Sequence, residues 1–191
     1  MDQLKFGVVG AAGRGAGFFT AITCNPRAQL TALCDLNGES LATTAGQVGV
    51  TQTYTDYEQM LDQSGIGVVI VGTPMPLHTP MAIAALERGI HVMSEVPAAV
   101  SVDEARDLVR AVKASSAQYM MAENYCYMRP NVLVKAIARA GLFGEMYFAE
   151  GEYLHELKEL NEVKNFSGYR FGHLFEMLIN KLGMGHFLSP L

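Results

Sequence analysis

Residues 4–22 read LKFGVVGAAGRGAGFFTAI, and the fold turns on how that stretch divides. Leu4 to Gly10 is a short apolar run closed by glycine, which has the length and character of a buried strand. The next residues are glycine-rich, and beyond Gly17 the spacing turns helical, with Phe18, Ile22 and Phe19 offered to one face. Strand, tight turn and helix therefore follow one another within twenty residues.

The same alternation continues outward. Leu30 to Cys34 is a second strand and Gly38 to Val48 a second helix. Thr55 with Glu58 has the spacing of a capping box for a short helix through Asp62, and GVVIVG, Gly67 to Gly72, is an apolar strand bounded by glycines. After TPMPLHTP, Met81 to Arg88 is helical, with Gly89 as its stop, and His91 to Ser94 is the next strand. Ser101 with Glu104 opens a helix that carries Ala105, Leu108, Val109 and Val112 on one face, and Gln118 to Glu123 closes the series as a strand. Apolar strands alternating with helices predict an α/β fold, a parallel sheet covered on both faces and wound in both directions from its centre. Past Tyr125 the pattern changes to a helix over Pro130 to Ala140, a turn at Gly141 to Gly144 and a strand-like stretch, EMYFAEGEYLHEL, from Glu145 to Leu157. One strand of a new sheet cannot bury its apolar face, so the 191 residues are expected to be a fragment of a longer protein.

Composition narrows the function. The net charge is −5, and the 14 basic residues are scattered with no basic stripe, which speaks against nucleic acid. Three cysteines, Cys24, Cys34 and Cys126, form no CxxC pair; a reduced compartment and no metal site are expected. No apolar run approaches the ~20 residues of a membrane span, and the first residues show no leader pattern, so the expected location is cytoplasmic.

The chemistry gathers at the first turn. Gly10, Ala12 and Gly15 give G-x-A-x-x-G, with Gly13 and Arg14 between, and Asp35 ends the second strand twenty residues after Gly15. Strand, glycine turn, helix and a distant acid are the parts of a dinucleotide site, in which backbone amides approach the pyrophosphate and the carboxylate takes the ribose hydroxyls. A carboxylate there repels a 2′-phosphate, so NAD is expected over NADP. The same residues would also serve a plain strand–helix turn with Asp35 capping Asn37 and Gly38. Thr73 to His78, Ser94 to Pro97 and Glu123 to Arg129 follow later strands and should line one crevice at their carboxyl ends.

The segment VGTPMPLHTPMAIAALERGIHVMSEVPAAVSVDEA, Val71 to Ala105, resembles the Gfo/Idh/MocA oxidoreductases. That resemblance implies an NAD-binding Rossmann domain over residues 1–123 and, over 124–191, the truncated start of an α/β substrate domain whose sheet carries a carbohydrate and often a homo-oligomer interface. It implies cofactor contacts from Gly10, Ala12, Gly13, Arg14, Gly15, Asp35, Thr73, Pro74, His78, Glu95, Pro97 and Asn124. Glu95 and Pro97 match the family's E-K-P segment, whose lysine helps move the proton of the hydroxyl being oxidised, but Val96 stands at that position. Valine carries no proton, so another group must. Without the resemblance, E-V-P reads as a strand end with a rigid turn, and His78 as a cap for the helix that follows it.

One subgroup, the NAD-dependent α-N-acetylgalactosaminidases, has E-V-P and close cousins of MMAENYCYMRPNVLV and GLFGEMYFAEGEYLHEL. In that subgroup NAD stays bound, a sugar hydroxyl is oxidised, the aglycone leaves by elimination and the hydride returns, with tyrosine and histidine as bases. The resemblance points to Tyr127, His155 and His186 as the catalytic groups. Tyr127 reads equally as an amphipathic lip and His155 as a solvent-facing strand residue. Around His186, Gly183, Met184 and Gly185 replace the subgroup's Tyr-Pro-Thr. Three functions stand open: NAD-dependent hydride transfer at a sugar or cyclitol hydroxyl, an NAD-dependent glycosidase, and a dinucleotide-binding protein without catalysis.

Overall fold

A computed structural model describes residues 3–150, and the chain divides into two compact units, Met1–Asn124 and Tyr125–Leu191. In the first unit six parallel strands, β1 (Leu4–Val9), β2 (Ala28–Cys34), β3 (Gln52–Tyr54), β4 (Val68–Val71), β5 (His91–Ser94) and β6 (Tyr119–Met121), form one sheet in the order β3-β2-β1-β4-β5-β6. Between them run α1 (Phe19–Thr23), α2 (Gly38–Val48), α3 (Tyr57–Gln63), α4 (His78–Glu87) and α5 (Val102–Ala114). The chain winds away from β1 on one side through β2 and β3, then crosses back to β4 and winds the other way. The expected doubly wound α/β sheet is what the strands build.

Strand side chains alternate between two cores, because successive residues of a strand point to opposite faces. Val8, Leu33 and Ile70 pack with Phe19 and Ile22 of α1 and Leu41 and Ala45 of α2. Their neighbours Val9, Ala32, Cys34, Val69 and Val71 pack with Met60 and Leu61 of α3, Ala82, Ala85 and Leu86 of α4, and Leu108 of α5. Burying a side chain such as Leu33, Ile70 or Leu86 stabilises the fold by about 1.5–3 kcal/mol. This double burial makes the strands read as unbroken apolar runs.

Several local expectations are corrected. β3 was not visible as a strand: it has three residues at a sheet edge, too few to show a period. The cap of α3 is Asp56, whose carboxylate accepts from the Gln59 amide at 2.9 Å, so Thr55 is one residue too early. The turn after β1 first tightens into a 3-10 helix, Arg14–Phe18, before α1, which buries Phe19 and Ile22 but leaves Phe18 half-buried. On α5 only Leu108 of the expected face is buried, while Ser101 does cap it, accepting from Glu104 N–H at 3.1 Å. α4 begins at His78, three residues before Met81.

The second unit contributes a 3-10 turn, Tyr125–Tyr127, and α6 (Arg129–Arg139), followed by Gly141 and Gly144 at positive φ of 71° and 66°. Residues 146–150 take no regular structure, since a strand needs a partner ladder to form; the rest of the expected strand, with His155, lies outside the described residues, as does His186. Among the described residues, no helix is long and apolar enough to cross a membrane, and no cluster of His, Cys, Asp and Glu could hold a metal.

Candidate functional site

The winding reverses between β1 and β4, and their carboxyl ends open the crevice where ligands of such sheets bind. Backbone meets backbone there. Gly10 has φ 74°, and a Cβ on it would strike the Gly72 carbonyl. A Cβ on Gly15 would lie 2.7 Å from Val8 Cγ1 and 2.8 Å from the Gly10 oxygen, and one on Gly72 would lie 2.6 Å from the Gly15 nitrogen. The glycines at the first and last positions of the motif are therefore required by packing, and Gly72, which sequence reasoning treated only as a strand boundary, is their third partner. Its signal was the glycine that ends the second apolar strand of the switch point. Gly13 meets nothing closer than 3.8 Å, so the fold itself does not exclude a side chain there.

Asp35 follows β2, where its own amide donates to the Tyr54 carbonyl of β3 at 3.1 Å. Its Oδ2 accepts from the Ala12 amide at 2.9 Å and its Oδ1 from the Asn37 amide at 3.0 Å. The acid thus caps the turn at Asn37, as one reading expected, and it also braces the glycine turn. A carboxylate has roughly four acceptor positions, so two amides leave capacity for a pair of hydroxyls. Below it Cys34 is buried, and burial, with Asp35 and Asp56 adding negative charge nearby, pushes its thiol up to about 12.

The turns after β4 and β5 are held by a histidine. His78 is 1% exposed, with Nδ1 2.8 Å from the Pro97 carbonyl and Nε2 2.7 Å from the Thr73 carbonyl. Thr79 adds a bond from its hydroxyl to the Ala98 carbonyl at 3.0 Å. His78, expected beside the cofactor, has both ring nitrogens facing backbone, at Thr73 and Pro97. Pro74 follows Thr73 on this turn, and the Val96–Pro97 bond is cis.

Glu95 follows β5 at 4% exposure, its amide bonded to the Val71 carbonyl. Its Oε1 accepts from Arg14 Nε at 2.7 Å and its Oε2 from the Val96 amide at 3.2 Å. Arg14 and Glu95, 81 residues apart, are the pair the sequence did not announce. Val96 is 37% exposed beside them.

The residues brought together are thus Gly10, Ala12, Gly13, Arg14, Gly15 and Asp35 around the first turn, and Thr73, Pro74, His78, Glu95 and Pro97 around the next two. Asn124 ends the first unit, three residues after β6, and Tyr127 belongs to the second unit. The set fits a dinucleotide: Gly10 and Gly15 keep the turn tight, Gly13 leaves it without a Cβ where nothing lies closer than 3.8 Å, and the acid at the ribose end keeps acceptor capacity.

The comparisons with known proteins point the same way. A family model described as an oxidoreductase family with an NAD-binding Rossmann fold matches residues 4–123. An alpha-N-acetylgalactosaminidase from Shewanella oneidensis is 31% identical over 179 residues, covering 88% of this chain and 39% of that protein. The WlbA dehydrogenase from Bordetella pertussis, solved in complex with NADH and UDP-GlcNAcA, is 28% identical with a TM-score of 0.70, over 76% of this chain and 44% of its own. Myo-inositol 2-dehydrogenase from Lactobacillus plantarum shares the fold at a TM-score of 0.80 and 21% identity, over 87% of this chain and 50% of its own. The chain spans about two-fifths of the length of the curated relatives it matches.

Proposed function

The chain belongs to the Gfo/Idh/MocA oxidoreductase family, and from that premise we propose that its first unit binds NAD across the β1–β4 crevice to serve hydride transfer at a hydroxyl of a sugar or cyclitol. The observation that carries the reading is Asp35, bonded through the Ala12 amide into a glycine turn that leaves Gly13 open. Residues 1–123 form the dinucleotide domain and 124–191 the beginning of the substrate domain, in a cytoplasmic protein that pairs with copies of itself through that domain's sheet.

Bound there, NAD supplies a hydride acceptor. This chain's part is to hold and orient. Gly10 and Gly15 keep the turn tight and Gly13 lets the diphosphate approach its backbone; Asp35 takes the adenosine ribose hydroxyls and repels a 2′-phosphate. Thr73, Pro74 and Pro97, held by His78, form the walls toward the nicotinamide, with Asn124 at the far lip. Val96 neither accepts nor gives a proton. The hydroxyl proton therefore goes to Tyr127, His155 or His186.

A second reading, NAD-dependent hydrolysis of an N-acetylgalactosaminide, is favoured by Val96 at the lysine position and by the α-N-acetylgalactosaminidase relative. The first measurement is to denature the purified chain and identify released nucleotide by chromatography, then to follow melting with added NAD. Binding should raise stability by about 2.7 kcal/mol at a hundredfold excess over Kd. Neither released NAD nor a shift with added NAD would remove the nucleotide assignment. With binding established, NADH accumulating from a free sugar supports the dehydrogenase, and aglycone released from an aryl N-acetylgalactosaminide without net NADH supports the glycosidase. Neither product leaves a binding protein.

A further inference from the structure

Among the described residues, one buried side-chain polar atom has no hydrogen-bond partner, the Tyr119 hydroxyl on the edge strand β6. A buried donor left unpaired is costly and rare in folded proteins, so its surroundings should hold an acceptor.

The strand register shows where to look. Tyr119 pairs with Val92 of β5, and both pack into the same core. Ser94 stands two residues beyond Val92, on that same face, because strand side chains repeat every second residue. Two residues of strand span roughly 7 Å, within the reach of a tyrosine. Burial raises the Tyr119 phenol above its ordinary pKa, and the Ser94 hydroxyl is the neighbour that opposes the rise. The two hydroxyls are therefore close, though they stop short of bonding geometry.

Ser94 is able to accept. It is 0% exposed, and its hydroxyl donates its one proton to the Glu95 carbonyl at 3.1 Å. A hydroxyl has two lone pairs, so Oγ keeps acceptor capacity while the phenol has a proton with no destination.

The Ser94 bond belongs to a layer beneath the E-V-P turn. The Glu95 carbonyl rests on Ser94, the Pro97 carbonyl lies 2.8 Å from His78 Nδ1, and the Ala98 carbonyl accepts from Thr79 at 3.0 Å. His78 and Thr79 reach up from α4, so they tie the turn to another element. Ser94 reaches only the carbonyl of its own chain neighbour. Its end of the layer needs a support from outside β5.

We propose that Tyr119 donates its hydroxyl proton to Ser94 Oγ and is thereby a positioning residue for the E-V-P turn, holding the Glu95 carbonyl through Ser94. The edge strand β6 then anchors the start of the turn as α4 anchors its end. That the turn walls the nicotinamide rests on the NAD reading; the chain of hydroxyls does not.

The first test is urea unfolding of the 191-residue chain in wild type, Tyr119→Phe, Ser94→Ala and the double variant. Removing an unpaired phenol would leave stability unchanged or raised. A donating phenol predicts instead that Tyr119→Phe raises the unfolding constant roughly 2- to 10-fold. The double variant should lose less than the sum of the two single losses, since one bond is lost only once. Additive losses, or a Tyr119→Phe chain as stable as wild type, overturn the bond. Positioning is separated from plain stability by two readings on folded protein. The Val96 amide resonance should move in the same direction in Tyr119→Phe and Ser94→Ala. In calorimetric titration, Tyr119→Phe should weaken NAD several-fold and leave ADP, which has no nicotinamide, within about twofold. An unmoved Val96 resonance, or equal weakening of NAD and ADP, makes Tyr119 a structural residue and overturns its positioning role. If wild type binds neither nucleotide, the NAD reading fails and the link to the nicotinamide with it, while the unfolding cycle and the Val96 resonance still decide the hydroxyl chain.

Discussion

Asp35 accepts from two backbone amides, so its carboxylate is a structural brace before any ribose reaches it. In Asp35→Asn one oxygen becomes an NH2 that must face an amide donor. We expect a loss of about 1–3 kcal/mol in urea unfolding, from the orphaned donor, together with weaker NAD and relatively stronger NADP binding by calorimetry. Cys34 sits directly beneath. With its thiol raised from 9.0 to about 12, it stays protonated in the folded chain while an unfolded chain gives up that proton from about 9 upward. Its contribution to stability is therefore complete below pH 9 and is lost as pH climbs toward about 12. Iodoacetamide at pH 8 should modify the exposed Cys24 and Cys126 and reach Cys34 only after denaturation, as read by mass spectrometry. At this scale the sequence showed Asp35, because an acid ending the second strand is a local signal. It could not show that Arg14 meets Glu95, since a contact across 81 residues has no period or spacing to betray it. It also read His78 from the outside, when burial decides what that ring can touch.

The helices were visible through their caps and apolar spacing wherever they run long enough to repeat. α2 spans Gly38–Val48 as expected, and its end is set by Gly49 at φ 73°. Short elements escaped: β3 has only the three residues Gln52–Tyr54, and α1 only five after a tightened turn. The choice between Thr55 and Asp56 as the cap of α3 illustrates the limit, since both residue types cap and only geometry selects. Asp56→Ala should lower stability by about 0.5–2 kcal/mol in thermal melts. Thr55→Ala should stay within about 0.5 kcal/mol, and a larger loss there would return the cap to Thr55. Arg88 at the end of α4 meets Glu58 at 2.6 Å and Asp62 at 2.7 Å on α3, a tie that no helical periodicity encodes.

For the molecule as a whole, the strand order follows from apolar strands alternating with helices under right-handed crossovers, and this much was in the sequence. The site was legible as a place, the carboxyl edge where the winding reverses, but not as a set of bonds. In hydrogen exchange, the amides of β1 and β4, flanked by strands on both sides and carrying Val8, Val69 and Val71 at 0% exposure, should be the last to open. Those of the edge strands β3 and β6 should exchange first, and slow exchange confined to β2 and β3 would mean that the cohesive centre lies elsewhere. The groups proposed for proton transfer, Tyr127, His155 and His186, all follow residue 124 and belong to the second unit. The first unit can thus be expected to bind the dinucleotide by its own residues and to depend on the rest of the protein for turnover.

The meeting of Gly10, Gly15 and Gly72 has a consequence for how such a protein would be surveyed genetically. In a library with every codon randomised and survivors sequenced, all three positions should be swept clean of alternatives. Substitutions of Gly72 would vanish as thoroughly as those of Gly10, although its neighbours are the backbone atoms of Arg14 and Gly15. A map of intolerant codons would therefore draw the ligand's footprint one strand too wide, and Gly13, which has room around it, would mark where intolerance begins to report the ligand instead of the chain.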